Sequence, residues 1–139
     1  MKILLDTNLV IDFLERREQH FQVTLTFINE SRKQGHILMI AAHSVDNIVY
    51  ILRKKIDHHQ LMNGLKAFFK ICQIAPVNQN IILSALLSGW KDFEDSIQYH
   101  CALSSNSDLI VTRNQNDYEE DQIPILSPEE GVKWLKKVK

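Results

Sequence analysis

Residues 2–8 (KILLDTN) decide how the rest of the chain is read. Ile3, Leu4 and Leu5 form a compact apolar run that predicts a short buried strand, and the turn-prone Asp6-Thr7-Asn8 ends it at once. A carboxylate is thereby left at the carboxyl end of the first strand. Similar apolar runs recur downstream: residues 36–42 (HILMIAA), 72–77 (CQIAPV, broken by Pro76), 109–112 (LIVT) and 123–126 (IPIL).

Helical spacing fills the intervals. Residues 19–34 carry Phe21, Val23, Leu25, Phe27 and Ile28 up to a stop at Gly35. After the second strand, Val45, Ile48, Ile51 and Leu52 recur at helical spacing, with Ser44 as the expected N-cap. Residues 60–71 predict a further amphipathic helix. Asn78 or Asn80 caps the next, which carries Ile82, Leu83, Leu86 and Leu87 and stops near Gly89. Phe93, Ile97 and Cys101 advance in steps of four behind an acidic first turn that suits the helix dipole. Ser127-Pro128-Glu129-Glu130 opens the last helix with a cap, a proline at the first position and a capping-box glutamate. Lys133, Lys136 and Lys137 suit its C-terminus. Strands alternating with helices, each strand a continuous apolar run, predict a parallel sheet covered on both faces. No linker or repeat interrupts this pattern, so one α/β domain over residues 1–139 is expected.

Composition narrows the function classes. A chain of 139 residues that is 45% hydrophobic has enough apolar mass for a core without covalent staples. Cys72 and Cys101 have no partner spacing for zinc or a disulfide framework, which makes a reducing, cytoplasmic setting the expectation. Asp6 and Asp12 interrupt any signal-peptide core, and no apolar run approaches the roughly 18 residues of a membrane span, so no membrane association is expected. A formal charge of -1 argues against a broadly basic nucleic-acid surface but leaves room for a local patch. Gly35, Gly64, Gly89 and Gly131 form no phosphate loop. His58-His59 reads as an exposed loop, because no acid or cysteine completes a zinc site.

In open parallel sheets ligands bind beyond the carboxyl ends of the strands, which makes the polar residues there the first candidates. Asp6 follows strand one; Asp46 or Asn47 lies early in the helix after strand two; Asp92, Glu94 and Asp95 open the helix before strand four; Asn114 and Asp117 follow LIVT. Taken singly, each of these is also a plausible cap or turn former. Asp12, Glu15, Glu18 and the run Glu119-Glu120-Asp121 read as solvated faces or loops. If several acids met at one edge, charges about 4 Å apart would repel by about 4 kcal/mol at an effective dielectric of 20. A divalent cation removes that cost, and oxygen-only ligands favour Mg²⁺ or Mn²⁺ over zinc.

The segments LLDTNLVIDFL, DFEDSIQYHCAL, DLIVTRNQNDY and IPILSPEE, in that order, resemble the PIN-domain ribonucleases, especially the bacterial toxins of the VapC type. The resemblance covers nearly the whole chain. It implies a three-layer α/β/α sandwich with a short, mostly parallel central sheet, and a Mg²⁺- or Mn²⁺-dependent endoribonuclease acting as the toxin of a toxin–antitoxin pair. An RNA substrate, a small antitoxin and a homodimer are the partners it implies. By the same resemblance Asp6, Asp95, Asn114 and Asp117 are metal ligands, with Asp6, Asp95 and Asp117 carrying catalysis. Asn8 would support Asp6, and Thr112 would help to orient a water. Where the family usually has Glu early in the helix after strand two, this chain has Asn47, with Asp46 beside it and about 100° away around the helix. Arg53, Lys54, Lys55 and Arg113 are the expected RNA contacts. Because of Asn47, the alternative expectation is a catalytically weak or inactive PIN-like module that binds RNA or protein. An aspartyl-phosphate mechanism of the haloacid dehalogenase type fits less well, because position 8 is Asn rather than the second Asp.

Overall fold

A computed structural model describes residues 1–138; Lys139, the last residue of the expected domain, lies outside the described residues. Five strands, β1 (Lys2–Leu5), β2 (Ile37–Ala41), β3 (Gln73–Ala75), β4 (Leu109–Val111) and β5 (Ile125–Leu126), form one sheet in the order β3-β2-β1-β4-β5. Every pairing is parallel. Seven helices complete the described residues: α1 (Thr7–Glu15), α2 (Phe21–Lys33), α3 (Ala42–Leu52), α4 (His58–Phe68), α5 (Gln79–Ser88), α6 (Phe93–Ser104) and α7 (Pro128–Lys137).

The strands are continuously apolar because both faces of the sheet are covered. Alternation then sorts their side chains. Ile3, Leu5, Leu38, Ile40, Leu109 and Val111 point into a core with residues of α1, α2, α3, α4 and α7. Leu4, Met39, Ala41 and Ile110 point the other way, onto Ile81 and Ala85 of α5 and Ile97, Cys101 and Ala102 of α6. The result is the expected α/β/α sandwich.

Local signals set the helix ends. Ser127 accepts from the Glu130 amide while the Glu130 carboxylate accepts from the Ser127 amide, the capping box read from the sequence. Asn78 caps α5, and Gly89, at φ 65°, closes it in the left-handed region where glycine carries no Cβ penalty. Gly131 lets α7 approach α2, since a Cβ there would meet Phe27 Cε1 at 2.7 Å.

One helix was not expected and two expectations change. α1 is not announced by periodicity, because Leu9, Val10 and Ile11 are consecutive and read equally as strand. Ser44 is not an N-cap: Ala41 holds that position, and Ser44 is buried inside α3. His58 and His59 are not a loop; they form the first turn of α4, which is capped by Asp57.

β1 sits at the point where the strand order reverses. The chain moves from β1 outward to β2 and β3, then returns to the other side of β1 as β4. The crevice outside the carboxyl ends of β1 and β4 is therefore the topological switch point, where open α/β sheets bind ligands.

Candidate metal centre

Register places the first acid in this crevice. Leu5 pairs with Val111, so Asp6 and Thr112 are the next residues out, and the Asp6 amide donates to Val111 O at 3.0 Å. Asp6 is also the N-cap of α1, its Oδ1 accepting from the Asn8 amide. Thr112 Oγ1 donates to Asp6 Oδ2 at 2.6 Å, and Tyr118 Oη donates to the same oxygen at 3.1 Å. Burial, followed by the nearby Asp6 charge, holds the Tyr118 hydroxyl well above its ordinary pKa, so it stays a donor. Gln98 Nε2 donates to Asp6 Oδ1 at 3.1 Å and to Asp95 Oδ1 at 3.2 Å, while Gln98 Oε1 accepts from the Thr7 amide. One buried carboxamide thus joins two acids that are 89 residues apart in sequence (95 − 6).

α6 supplies the second group. Asp92 is its N-cap, accepting from the Asp95 amide at 2.9 Å, and the positive helix terminus favours the acids of its first turn. Carboxylate oxygens of Asp92, Asp95 and Asp117 all lie within 4.8 Å of one another. Asp95 is 7% exposed; its burial, then the charges of Asp6, Asp92, Asp117 and Glu94, push its pKa up to about 8. Asp117 ends a 3-10 turn (Gln115–Asp117) after β4 and lies beside Asp92 in an acid-lined cleft of about 190 Å³. Asp95 is accordingly the hub, joined to Asp6 through Gln98 and to Asp117 and Asp92 by proximity.

The remaining expected residues fall into place unevenly. Asn8 Nδ2 reaches Thr112 Oγ1 at 3.5 Å, and the buried Asn8 Oδ1 has no hydrogen-bond partner among the described residues. Asn114 is exposed, and its amide, not its side chain, donates to Thr112 Oγ1. Asp46 is exposed on α3, and Asn47 beside it is half-buried. Arg53, Lys54 and Lys55 are exposed at the end of α3; Arg53 stacks on Tyr50, and Lys55 pairs with Glu15 at 3.2 Å.

Arg113 and Asp12 are corrected together. Asp12 is not a solvated face: it is 0% exposed, and Arg113 Nε and Nη2 grip its two oxygens at 2.5 and 3.2 Å. Arg17 adds a third contact at 3.4 Å. The Arg113 guanidinium, expected on the RNA side, is committed to a buried ion pair because Asp12 can be buried only with a counter-charge.

Gln98 and Tyr118 are site residues absent from the expected set, and Asp92, a candidate by position, was not among the expected ligands. Asp92 was detectable as an acid three residues before Asp95, on the same helical side. Gln98 and Tyr118 give no signal by residue type alone.

The rim fits a hard divalent cation on its own geometry. Its ligand atoms are all oxygens, its acids stand close enough to raise the Asp95 pKa, and Asn8 Oδ1 is a buried acceptor with nothing to accept from.

A parallel α/β/α domain with clustered acids at its switch point defines the class. The chain belongs to the PIN domain family, whose model matches residues 2–116. It is 25% identical over 134 residues to Ribonuclease VapC1 of Aquifex aeolicus (strain VF5), covering 93% of this chain and 92% of that protein. Among solved structures it superposes on VapBC-1 from nontypeable Haemophilus influenzae with a TM-score of 0.70 at 16% identity, covering 93% of this chain and 99% of that one. VapBC2 from Rickettsia felis, bound to a promoter DNA fragment, matches with a TM-score of 0.69 at 13% identity over 91% and 98% of the two chains. No helix among the described residues is long and apolar enough to cross a membrane.

Proposed function

We propose that the protein is a Mg²⁺- or Mn²⁺-dependent endoribonuclease that hydrolyses RNA phosphodiesters as the toxin of a toxin–antitoxin pair. The observation that carries this reading is the meeting of Asp6, Asp95 and Asp117, with Asp92, at the carboxyl edge of β1 and β4. The ribonuclease name of the Aquifex relative and the toxin–antitoxin titles of the structural neighbours support it.

Asp6, Asp95 and Asp117 would hold the cation, with Asn8 Oδ1 and Asn114 available to complete its shell directly or through water. A bound divalent cation supplies a water acidified for attack and positive charge against the phosphate as negative charge develops on it. The protein's own part is positioning. Thr112, Tyr118, Gln98 and the Asn8 amide fix the rotamer of Asp6, so the acid need not reorganise as the phosphate changes shape. Gln98 sets the spacing of Asp6 and Asp95. Arg53 and Lys54 offer exposed charge for the RNA backbone outside the acidic rim. The exposed Leu83, Leu86 and Leu87, at helical spacing on α5, leave apolar surface for a protein partner, in keeping with the antitoxin and homodimer of this reading.

The test is cleavage of structured RNAs in Mg²⁺ and in EDTA by wild type, Asp6→Asn and Asp95→Asn. Cleavage should require the metal and fall by roughly 100-fold or more in each variant. Equal cleavage by wild type and both variants would overturn the assignment.

A further inference from the structure

Residues 112–118 carry Thr112, Asp117 and Tyr118, and the contacts that hold this segment decide where these rim groups stand. Thr112 and Tyr118 reach Asp6, the N-cap of α1, and the Asp117 amide donates to Asn114 O at 3.0 Å to close its turn. Gln115 Nε2 ties the middle of the segment to Ile125 O and to the Glu130 carboxylate. Among the described residues, the segment makes one ion pair, through Arg113.

Arg113 sits between Thr112, whose Oγ1 donates to Asp6, and Asn114, whose amide donates to that same Oγ1 at 3.0 Å. The backbone on both sides of Arg113 is thus folded around the hydroxyl that orients Asp6. Its side chain runs toward the C-terminal turn of α1, where Nε and Nη2 engage both oxygens of Asp12. Asp12 is itself fixed, since it is fully buried and its carbonyl oxygen accepts from the Arg17 amide at 3.1 Å. α1 is therefore fastened to the segment at Asp6 and again six residues on (12 − 6), at Asp12, about 9 Å along the helix axis. Attachment at Asp6 alone would let the segment pivot there. A two-pronged guanidinium grip at a second point fixes both distance and angle and removes that rotation.

We propose that the Arg113–Asp12 pair positions the rim, holding residues 112–118 against α1 in the orientation that brings Asp117 to Asp95 and keeps the Thr112 and Tyr118 hydroxyls on Asp6. Both are positioning residues, acting through the segment rather than on substrate or cation. This rests on the metal-centre reading above. A pair that stabilises the fold is then also what aligns the site.

The test is calorimetric titration of the full chain with Mn²⁺, together with kcat and KM for RNA cleavage, at a temperature where thermal unfolding shows each variant folded. Asp12→Asn keeps the shape of the side chain but not the charge that holds Arg113. It is expected to weaken Mn²⁺ binding and lower kcat by roughly 10-fold each, with KM within about twofold of wild type. Arg113→Lys, which keeps the charge but loses the fork, should fall between wild type and Asp12→Asn. Leu61→Ala, a core variant on α4, which contributes no rim group, loses stability without touching the segment and should bind Mn²⁺ like wild type. Asp12→Asn with wild-type affinity and kcat would overturn the positioning role and leave the metal centre standing. An equal loss of affinity in Leu61→Ala would overturn it as well, because any destabilisation would then suffice. Should Asp12→Asn fail to fold, Arg113→Lys decides, and wild-type affinity and kcat there would overturn the role. Absence of Mn²⁺ binding by wild type would overturn the metal centre and this role with it.

Discussion

Two buried aspartates have opposite surroundings. Asp12 is completely buried and held by Arg113 and Arg17, so its charge is answered within the fold. Asp95 is nearly as buried, yet its charged neighbours are Asp6, Asp92, Asp117 and Glu94, and its pKa rises to about 8. Removal from water is costly to both carboxylates. Only one is compensated by the protein itself, and the difference separates a group that holds the structure from one suited to bind something else.

The strongest way to break the comparison is to strip the compensation from Asp12. Arg113→Ala leaves a fully buried carboxylate with only the longer Arg17 contact and should destabilise the fold by about 3 kcal/mol, measured by urea unfolding. Asp12→Asn should cost less, because the guanidinium of Arg113, 25% exposed, can turn to solvent. Equal costs would mean that the pair is not the buried clamp described.

A smaller effect of opposite sign is expected at Asp95. Its folded pKa lies above the ordinary value of 3.8, so the folded state binds more protons than the unfolded one between about pH 4 and pH 8. In EDTA, stability should therefore fall as pH rises through that window. Asp95→Asn should flatten this dependence and stabilise the protein at pH 8. Saturating Mg²⁺ should remove the advantage of the variant. An Asp95→Asn protein less stable than wild type in EDTA at pH 8 would erase the contrast with Asp12.

The same contrast explains what the sequence could reveal. Asp6, Asp95 and Asp117 were legible because strand ends and helix starts are marked by composition, and parallel connectivity brings such positions to one rim. The strands and most helices were legible for the same reason. Asp12 was not, since its partner Arg113 is 101 residues away and nothing local separates a paired buried acid from a solvated one. α1 escaped because three consecutive apolar residues carry no helical period. Gln98 and Tyr118 act through contacts to Asp6 across 92 and 112 residues, and neither residue type announces that role. Glu94 looked like an ordinary first-turn acid, and its contact with Thr7 spans 87 residues. Sequence located the charges; only tertiary structure showed which of them had partners.

The central claim is that Asp95 and its neighbours lack only a cation, and a crystal soaked in Mn²⁺ and measured for anomalous scattering tests it most directly. The account predicts one strong peak in the crevice beyond β1 and β4, with oxygens of Asp6 and Asp95 at about 2 Å and Asp117 bound directly or through water. An empty crevice at saturating Mn²⁺, with peaks only on outlying surface acids such as Glu129 or Asp46, would contradict it.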